Sequence, residues 1–417
     1  MEYGLIGEKL GHSFSKEIHE KIENYTYTLC EIKKEDIGEF MLKKDFKAIN
    51  VTIPYKQTVM PYLDYISESA KSIGAVNTVV NKGGKLYGYN TDCLGLKAMI
   101  KNTQISLSGK KVLILGSGGT SQTAFSVANE EGAAKVLRVS RTKKDGYITY
   151  DEACELHPDA DVIINTTPCG MYPDLDAMPI CIDKFPSLSG VVDVIYNPLR
   201  TKLVSQALKK GIRASGGLYM LVAQAVFAAE KFTGKSYDNS VIENIYAGIN
   251  SSKENIVLVG MPSSGKTTVG KIVADITGRE FIDIDEMIEK TGNMKISDIF
   301  SKYGESVFRD MESKCVFEAS KKSGCVIATG GGAILRSENV TALKQNGLLY
   351  FLDRNLADLE PTDDRPLALD KEAIKKRYEE RYPIYINVSD KTVKVDTEAK
   401  ENAERILYLH GREGRSI

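Results

Sequence analysis

The chain lacks any surplus of charge: 55 lysines and arginines stand against 56 aspartates and glutamates, a net charge of −1 over 417 residues. No one-signed field draws the whole molecule onto nucleic acid or an anionic membrane, so neither is expected as a partner and any anion site must be local. Cysteine is scarce. The seven residues (Cys30, Cys93, Cys154, Cys169, Cys181, Cys315 and Cys325) are odd in number, scattered and without a C-x-x-C pair, which argues against a disulfide framework or a cysteine zinc site. A reducing cytoplasm fits such thiols, and a cytoplasmic location is expected. Long apolar runs are missing too. The longest, Leu218 to Phe232, is interrupted by Gln224 and Glu230 and is too short for a bilayer, so it reads as a buried helix. The first ten residues have neither a basic start nor an apolar centre, unlike a signal peptide or anchor. Repeats and low-complexity segments are absent as well.

What is present is alternation. At about 150 residues per domain, 417 residues suggest two or three domains. Short β-rich runs alternate with amphipathic helical runs throughout, the pattern of an α/β protein with parallel sheets covered by helices. Lys111 to Leu115 is a buried-strand run leading into a glycine turn and a helix from about residue 120 to 131; Ile256 to Val259 leads into a second glycine loop and a helix over 266–277. Two strand, phosphate-loop and helix units so far apart imply two nucleotide sites. The polar stretch Gly248 to Glu254 reads as the main boundary, a linker that spans roughly 25 Å if extended. A further break near 106–109 divides the first half. The expected domains are 1–105, a substrate lobe completed by a helix around 217–247; 106–250, a Rossmann-like lobe; and 251–417, a P-loop domain with a central parallel sheet.

In the first half, Gly116-Ser117-Gly118-Gly119-Thr120-Ser121 follows a strand and opens a helix, where a dinucleotide pyrophosphate can approach bare backbone and the positive helix end. Ser121 stands where a third glycine would. The next strand, Lys135 to Val139, ends in Ser140-Arg141-Thr142-Lys143-Lys144 with no acid to accept a ribose 2′-hydroxyl; cations and hydroxyls there suit a 2′-phosphate, hence NADP. Several blocks together resemble the shikimate dehydrogenase family in order and spacing: Gly7 to Ser15, Asn50 to Lys56, Gly74 to Thr78, Gly88 to Asp92, Asn165 to Met171, Asp193 to Pro198 and Gly216 to Ala225. The likeness covers residues 1 to 250. It implies a Ser13 and Ser15 pair on the substrate carboxylate, a pocket that includes Thr52, Asn77, Tyr196 and Gln224, and Gly217 beside the cofactor. Reducing the 3-carbonyl of dehydroshikimate builds negative charge on oxygen, which needs a cation or acid there; Lys56 is the candidate. The resemblance pairs it with Asp92. Lysines at 9 and 16 replace two prolines usual in the first block. His12 and His19 are expected to be structural.

In the second half, Gly260-Met-Pro-Ser263-Ser264-Gly265-Lys266-Thr267 fits the pattern G-x4-G-K-[ST] and is followed by Thr268. Its amides would cradle the phosphates of ATP, Lys266 would neutralise their charge and Thr267 would bind Mg2+. Phe281-Ile-Asp283-Ile-Asp285 reads as a strand placing both carboxylates on one face, Asp283 toward the metal and Asp285 toward the attacking hydroxyl. These residues are similar to shikimate kinase over about 254–410. The resemblance implies carboxylate-binding arginines at Arg309 and Arg381, substrate contact at Gly331 in the run Thr329 to Gly332, and a lid arginine at Arg365 reaching the transferred phosphate. The stretch from 354 to 365 is short for such a lid.

The expectation is a bifunctional enzyme of the shikimate pathway using NADP(H), ATP and Mg2+, its partners the small molecules 3-dehydroshikimate and shikimate, with a homodimer left open. Two other readings compete. One is a quinate-using dehydrogenase joined to another small-polyol kinase, which Arg309 and Arg381 disfavour. The other is a non-catalytic sensor, which predicts the loss of Lys56, Asp92, Lys266, Asp283, Asp285 or Arg365.

Overall fold

The protein is described here from a computed structural model that places residues 1–11, 13–360 and 371–413. It divides into two compact units, one of residues 1–171, 177–196 and 206–249, the other of residues 172–176, 197–205 and 250–417.

The first unit holds two sheets. The first contains β1 (Tyr3–Gly7), β2 (Tyr27–Glu31), β3 (Ala48–Val51), β4 (Tyr65–Ile66), β5 (Thr78–Lys82) and β6 (Lys85–Tyr89), in the order β2-β1-β3-β5-β6-β4. β1 runs parallel to β2 and β3, whereas β5 is antiparallel to β3 and β6. This sheet is therefore mixed, not purely parallel as the alternation suggests. The cause is local: β5 and β6 are joined by Gly83 and Gly84, both at positive φ, and such a two-residue turn can only make an antiparallel hairpin. Ile6, Ile49, Val51, Tyr55, Val79 and Leu86 form the core on one face. The helices Thr91–Asn102 and Leu218–Thr233 pack closely because position 95 is glycine; a Cβ there would lie 2.7 Å from the carbonyl oxygen of Met220.

The second sheet contains β7 (Lys111–Leu115), β8 (Lys135–Val139), β9 (Val162–Asn165), β10 (Gly190–Asp193) and β11 (Arg213–Ser215), in the order β11-β10-β9-β7-β8 and parallel throughout. β9 and β10 are buried along their whole length, as expected of strands covered on both faces.

The second unit holds β12 (Asn255–Val259), β13 (Phe281–Asp283), β14 (Val326–Ala328), β15 (Gly347–Asp353) and β16 (Lys391–Lys394), in the parallel order β13-β14-β12-β15-β16. Its two early segments are bonded into it. Leu199 N donates to Asn346 Oδ1 at 2.9 Å, and Gln345 Nε2 donates to the carbonyl of Leu175 at 2.7 Å.

Two expectations about the linker need correction. The helix around 217–247 is two helices, Leu218–Thr233 and Asn239–Lys253, because Gly234 ends the first at φ 73° as a left-handed cap. The stretch from Gly248 is not an extended polar linker, since residues up to Lys253 belong to the second helix. Ile242, Ile245 and Ile249 bury one helical face, and that spacing outweighs the cost of one internal glycine. No helix among the described residues is long and apolar enough to cross a membrane.

Candidate functional sites

Pairing of β3 with β5 sets Asn50 opposite Thr78, and so brings the segments after and before these strands together. Lys56 Nζ meets Asp92 Oδ2 at 2.5 Å. Asp92 lies in the first turn of the helix Thr91–Asn102, where the helix dipole favours a negative charge. Its other oxygen accepts from Asn77 Nδ2 at 2.9 Å, and Asn77 is fixed in turn by bonds with Thr91. Lys56, Asp92 and Asn77 are thus one cluster. Thr52 follows β3 directly, its amide bonded to the carbonyl of Ile6.

Ser15 is buried at the start of the helix Ser15–Ile22, and its amide donates to Ser13 Oγ at 3.2 Å. Between them Phe14 meets the ring of Tyr196, centroids 5.3 Å apart, and burial raises the Tyr196 phenol above its ordinary range. Ser13 and Ser15 thus flank the residue that meets Tyr196. Gln224 donates to the carbonyl of Leu221 in its own helix and packs against Gly95 of the Asp92 helix. His12 lies outside the described residues. His19 is fully buried between aromatic rings and bonds to Tyr25, a structural environment.

The cofactor turn is open where a dinucleotide would lie: a Cβ on Gly118 or Gly119 would meet nothing within 4 Å. Gly116, at φ 115°, is the tight turn. The helix Gly119–Glu130, with Thr120 in its first turn, points its free amides at this space. Ser121 uses the place of a third glycine to donate to the Gly116 carbonyl at 2.8 Å. Gly217 is compelled to be glycine, because a Cβ would fall 2.1 Å from the carbonyl oxygen of Val194. After β8, Ser140 and Thr142 close a turn on each other and Arg141 is exposed. Lys143 is ion-paired with Glu152. Lys144, the last cation of that run, reaches the glycine turn: its Nζ lies 3.0 Å from Ser117 Oγ.

In the second unit the phosphate loop runs from β12 to the helix Lys266–Thr277, with positive φ at Gly260, Ser263 and Gly265. Lys266 Nζ donates to the carbonyls of Gly260 and Met261 at 3.0 and 2.8 Å. Ser264 is buried in the loop and Thr268 is exposed on the helix. Thr267 Oγ1 donates to Asp283 Oδ2 at 2.8 Å. The expectation that Asp283 and Asp285 share a strand face is corrected: β13 ends at Asp283, and Asp285 is in the first turn of the helix Ile284–Gly292. Asp283 causes the change of structure, because its carboxylate accepts from the amides of Asp285 and Glu286 as an N-cap.

Asp285 nonetheless reaches the glycine run. A Cβ on Gly330 would lie 2.8 Å from Asp285 Oδ1 and 2.7 Å from Glu312 Oε1. The Arg309 guanidinium covers Gly332, where a Cβ would fall 2.3 Å from Nη1, and Arg381 Nη1 donates to the Gly331 carbonyl at 3.1 Å. Arg309, Arg381, Asp285 and Gly331 therefore converge. Sequence reasoning assigned no role to Glu312, whose side chain is only 1 % exposed and holds Arg309 Nη1 at 2.7 Å. Burial raises its carboxyl above the ordinary value against the pull of Arg309. The signal was the i,i+3 spacing of arginine and glutamate on one helix. Arg365 lies outside the described residues.

Known proteins match in the same two parts. A family model of the shikimate dehydrogenase substrate binding domain matches residues 5–79, and one of shikimate kinase matches residues 262–409. A shikimate dehydrogenase (NADP(+)) of Clostridium perfringens is 40 % identical over 262 residues, covering 58 % of this chain and 96 % of that protein. Among solved structures, shikimate dehydrogenase 1 of Peptoclostridium difficile is 38 % identical with a TM-score of 0.55, covering 60 % of this chain and 98 % of its own. The shikimate 5-dehydrogenase of Thermus thermophilus, solved with NADP(H) and shikimate, is 28 % identical with a TM-score of 0.54, covering 59 % of this chain and 98 % of that one. With the glycine turn, the Lys56–Asp92 pair and the phosphate loop in place, the chain belongs to the shikimate dehydrogenase family over its first part and carries a shikimate kinase domain over its second.

Proposed function

We propose that the chain performs two consecutive steps of the shikimate pathway, reduction of 3-dehydroshikimate to shikimate and phosphorylation of shikimate to shikimate 3-phosphate. NADPH supplies the hydride for the first, and ATP with Mg2+ supplies the phosphoryl group for the second. Residues 1–105 and 106–250 are the substrate and cofactor lobes of the dehydrogenase, and 251–417 the kinase. The free, scattered cysteines favour the cytoplasm.

In the dehydrogenase, Ser13 and Ser15 hold the substrate carboxylate, while Thr52, Tyr196 and Gln224 line the ring. Lys56 meets the charge that develops on the carbonyl oxygen and delivers the proton that completes the hydroxyl. Asp92, held by Asn77, orients the ammonium and accepts a bond from the neighbouring substrate hydroxyl. The open backbone at Gly116 to Thr120 and the side chains of Ser140 to Lys144 receive the cofactor phosphates, with Gly217 beside it.

In the kinase, Arg309 and Arg381 grip the carboxylate with forked, charge-assisted bonds, with Gly331 against the ring. Asp285 orients the attacking 3-hydroxyl and accepts its proton. Ser263, Ser264, Gly265 and Thr268 frame the phosphates, and Lys266 turns from the loop carbonyls to neutralise them. Thr267 and Asp283, already in contact, are oxygen donors suited to Mg2+. The resemblance assigns Arg365 to the transferred phosphate.

The observation that carries this reading is the convergence of two arginines and Asp285 on one glycine run. It disfavours a kinase substrate without a carboxylate, and the dehydrogenase product is the matching one. The test is to give the purified chain dehydroshikimate, NADPH, ATP and Mg2+ and to follow NADPH oxidation and ADP release separately. ADP release that does not require shikimate, supplied or formed, overturns the coupling of the two steps.

A further inference from the structure

The carbonyl of Gly331 receives two donors, Arg381 Nη1 at 3.1 Å and the hydroxyl of Tyr385 at 2.5 Å. Both side chains come from the helix Lys371–Val388, four residues apart and so on one face. Tyr385 is fully buried, and its ring stacks on Phe351 of β15 with centroids 4.8 Å apart and planes at 7°. Burial raises its phenol above the ordinary tyrosine range, so at neutral pH it carries the proton it donates.

The two donors have different duties. Arg381 is assigned above to the substrate carboxylate, and each N–H it turns toward that group is withdrawn from the backbone or shared with it. Tyr385 has one hydroxyl proton and gives it to Gly331. Gly330, Gly331 and Gly332 follow one another, so the peptide it holds has no side chain of its own to restrict its rotation.

We propose that Tyr385 is a positioning residue of the kinase, whose hydroxyl keeps the Gly331–Gly332 peptide turned toward shikimate while Arg381 engages the carboxylate. The amide is planar, so fixing the Gly331 carbonyl also fixes the direction of the Gly332 N–H on the opposite edge. The same peptide sets the substrate wall against the phosphate loop, because a Cβ on Gly331 would fall 2.7 Å from Cδ of Pro262.

This inference rests on the kinase reading above. Phosphorylation of shikimate by the unmodified full chain tests that reading; the ratio between variant and unmodified chain tests Tyr385. Tyr385→Phe keeps the ring and its stack and removes only the donor. The expected result is a KM for shikimate raised about tenfold, with kcat reduced less than about threefold and the KM for ATP within twofold, the loss of one buried hydrogen bond. Tyr382→Phe is the control. It deletes a hydroxyl on the same helix that bonds Asp353 instead of the glycine run, and it should leave the KM for shikimate unchanged. An unchanged KM for shikimate in Tyr385→Phe, equal rises in both KM values, or an equal effect of Tyr382→Phe overturns the proposal. Failure of Tyr385→Phe to fold also overturns it, because the hydroxyl then serves stability rather than substrate geometry.

Discussion

Arg200 donates through Nη2 to Glu254 Oε1 at 2.8 Å, and the Glu254 side chain is only 4 % exposed. The same guanidinium bonds the carbonyls of Lys344 and Gly347, each at 3.0 Å. It therefore closes the end of the helix Ser337–Asn346, where carbonyls lack donors of their own and a cation is favoured. Arg200→Ala in the full chain should lower the stability of the second unit by about 3 kcal/mol, the scale for removing one partner from a buried ion pair. Arg200→Lys should recover only part, since an ammonium cannot serve several acceptors as a planar fork does. Urea titration followed by loss of phosphorylation checks this; an unchanged midpoint means the network adds nothing to stability.

The two sites use separate cations. Lys56→Ala should reduce carbonyl reduction by about 10²- to 10⁴-fold, the range for a lost general acid, and leave phosphorylation within twofold. Lys266→Ala should do the reverse, by about 10²-fold or more. Steady-state assays of both activities on each variant decide it, and loss of both in a folded single variant would contradict independent sites.

Much of this was legible in the residues, for reasons that differ by site. The phosphate loop stands out because close backbone approach requires glycines and a lysine at fixed spacing. Lys56 and Asp92 are individually ordinary, and only their ordered blocks identify them. Asp285 was misplaced because alternation was extended past Asp283, whose carboxylate starts a helix instead. The helix through Gly248 was hidden because glycine, asparagine and serine look like breakers, while the spacing of Ile242, Ile245 and Ile249 that buries it is sparse. Tyr385 could not be assigned from sequence, since its role is a contact with a backbone carbonyl far along the chain, whereas Glu312 is marked only by its i,i+3 spacing from Arg309.

Of the cations after β8, Lys143 is already paired with Glu152, whereas Lys144 lies against Ser117 in the glycine turn. Lys144→Ala should therefore lower kcat/KM for NADPH about tenfold, the scale of one charge-assisted bond. Lys143→Ala, which removes an exposed ion pair, should cost less than about threefold. The ratio of kcat/KM for NADPH to that for NADH is the measurement. Should Lys143→Ala lower that ratio more than Lys144→Ala, the cofactor draws Lys143 away from Glu152.

His19 makes the first unit sensitive to acid. Burial lowers its pKa from 6.5 to about 3, with Asn50 pulling weakly the other way, and its ring is stacked 4.0 Å from that of Tyr27. The folded chain therefore keeps the imidazole neutral where the unfolded chain binds a proton. This contribution to stability is complete above pH 6.5 and is lost progressively as the pH falls toward 3, by at most about 4–5 kcal/mol. His19→Phe retains a ring for the stack and removes the titration. Urea titrations of both proteins between pH 7.5 and about 4, followed through NADPH-dependent reduction, should show a gap that narrows or reverses in favour of the variant as the pH falls. Parallel pH profiles would mean that His19 is protonated in the folded protein.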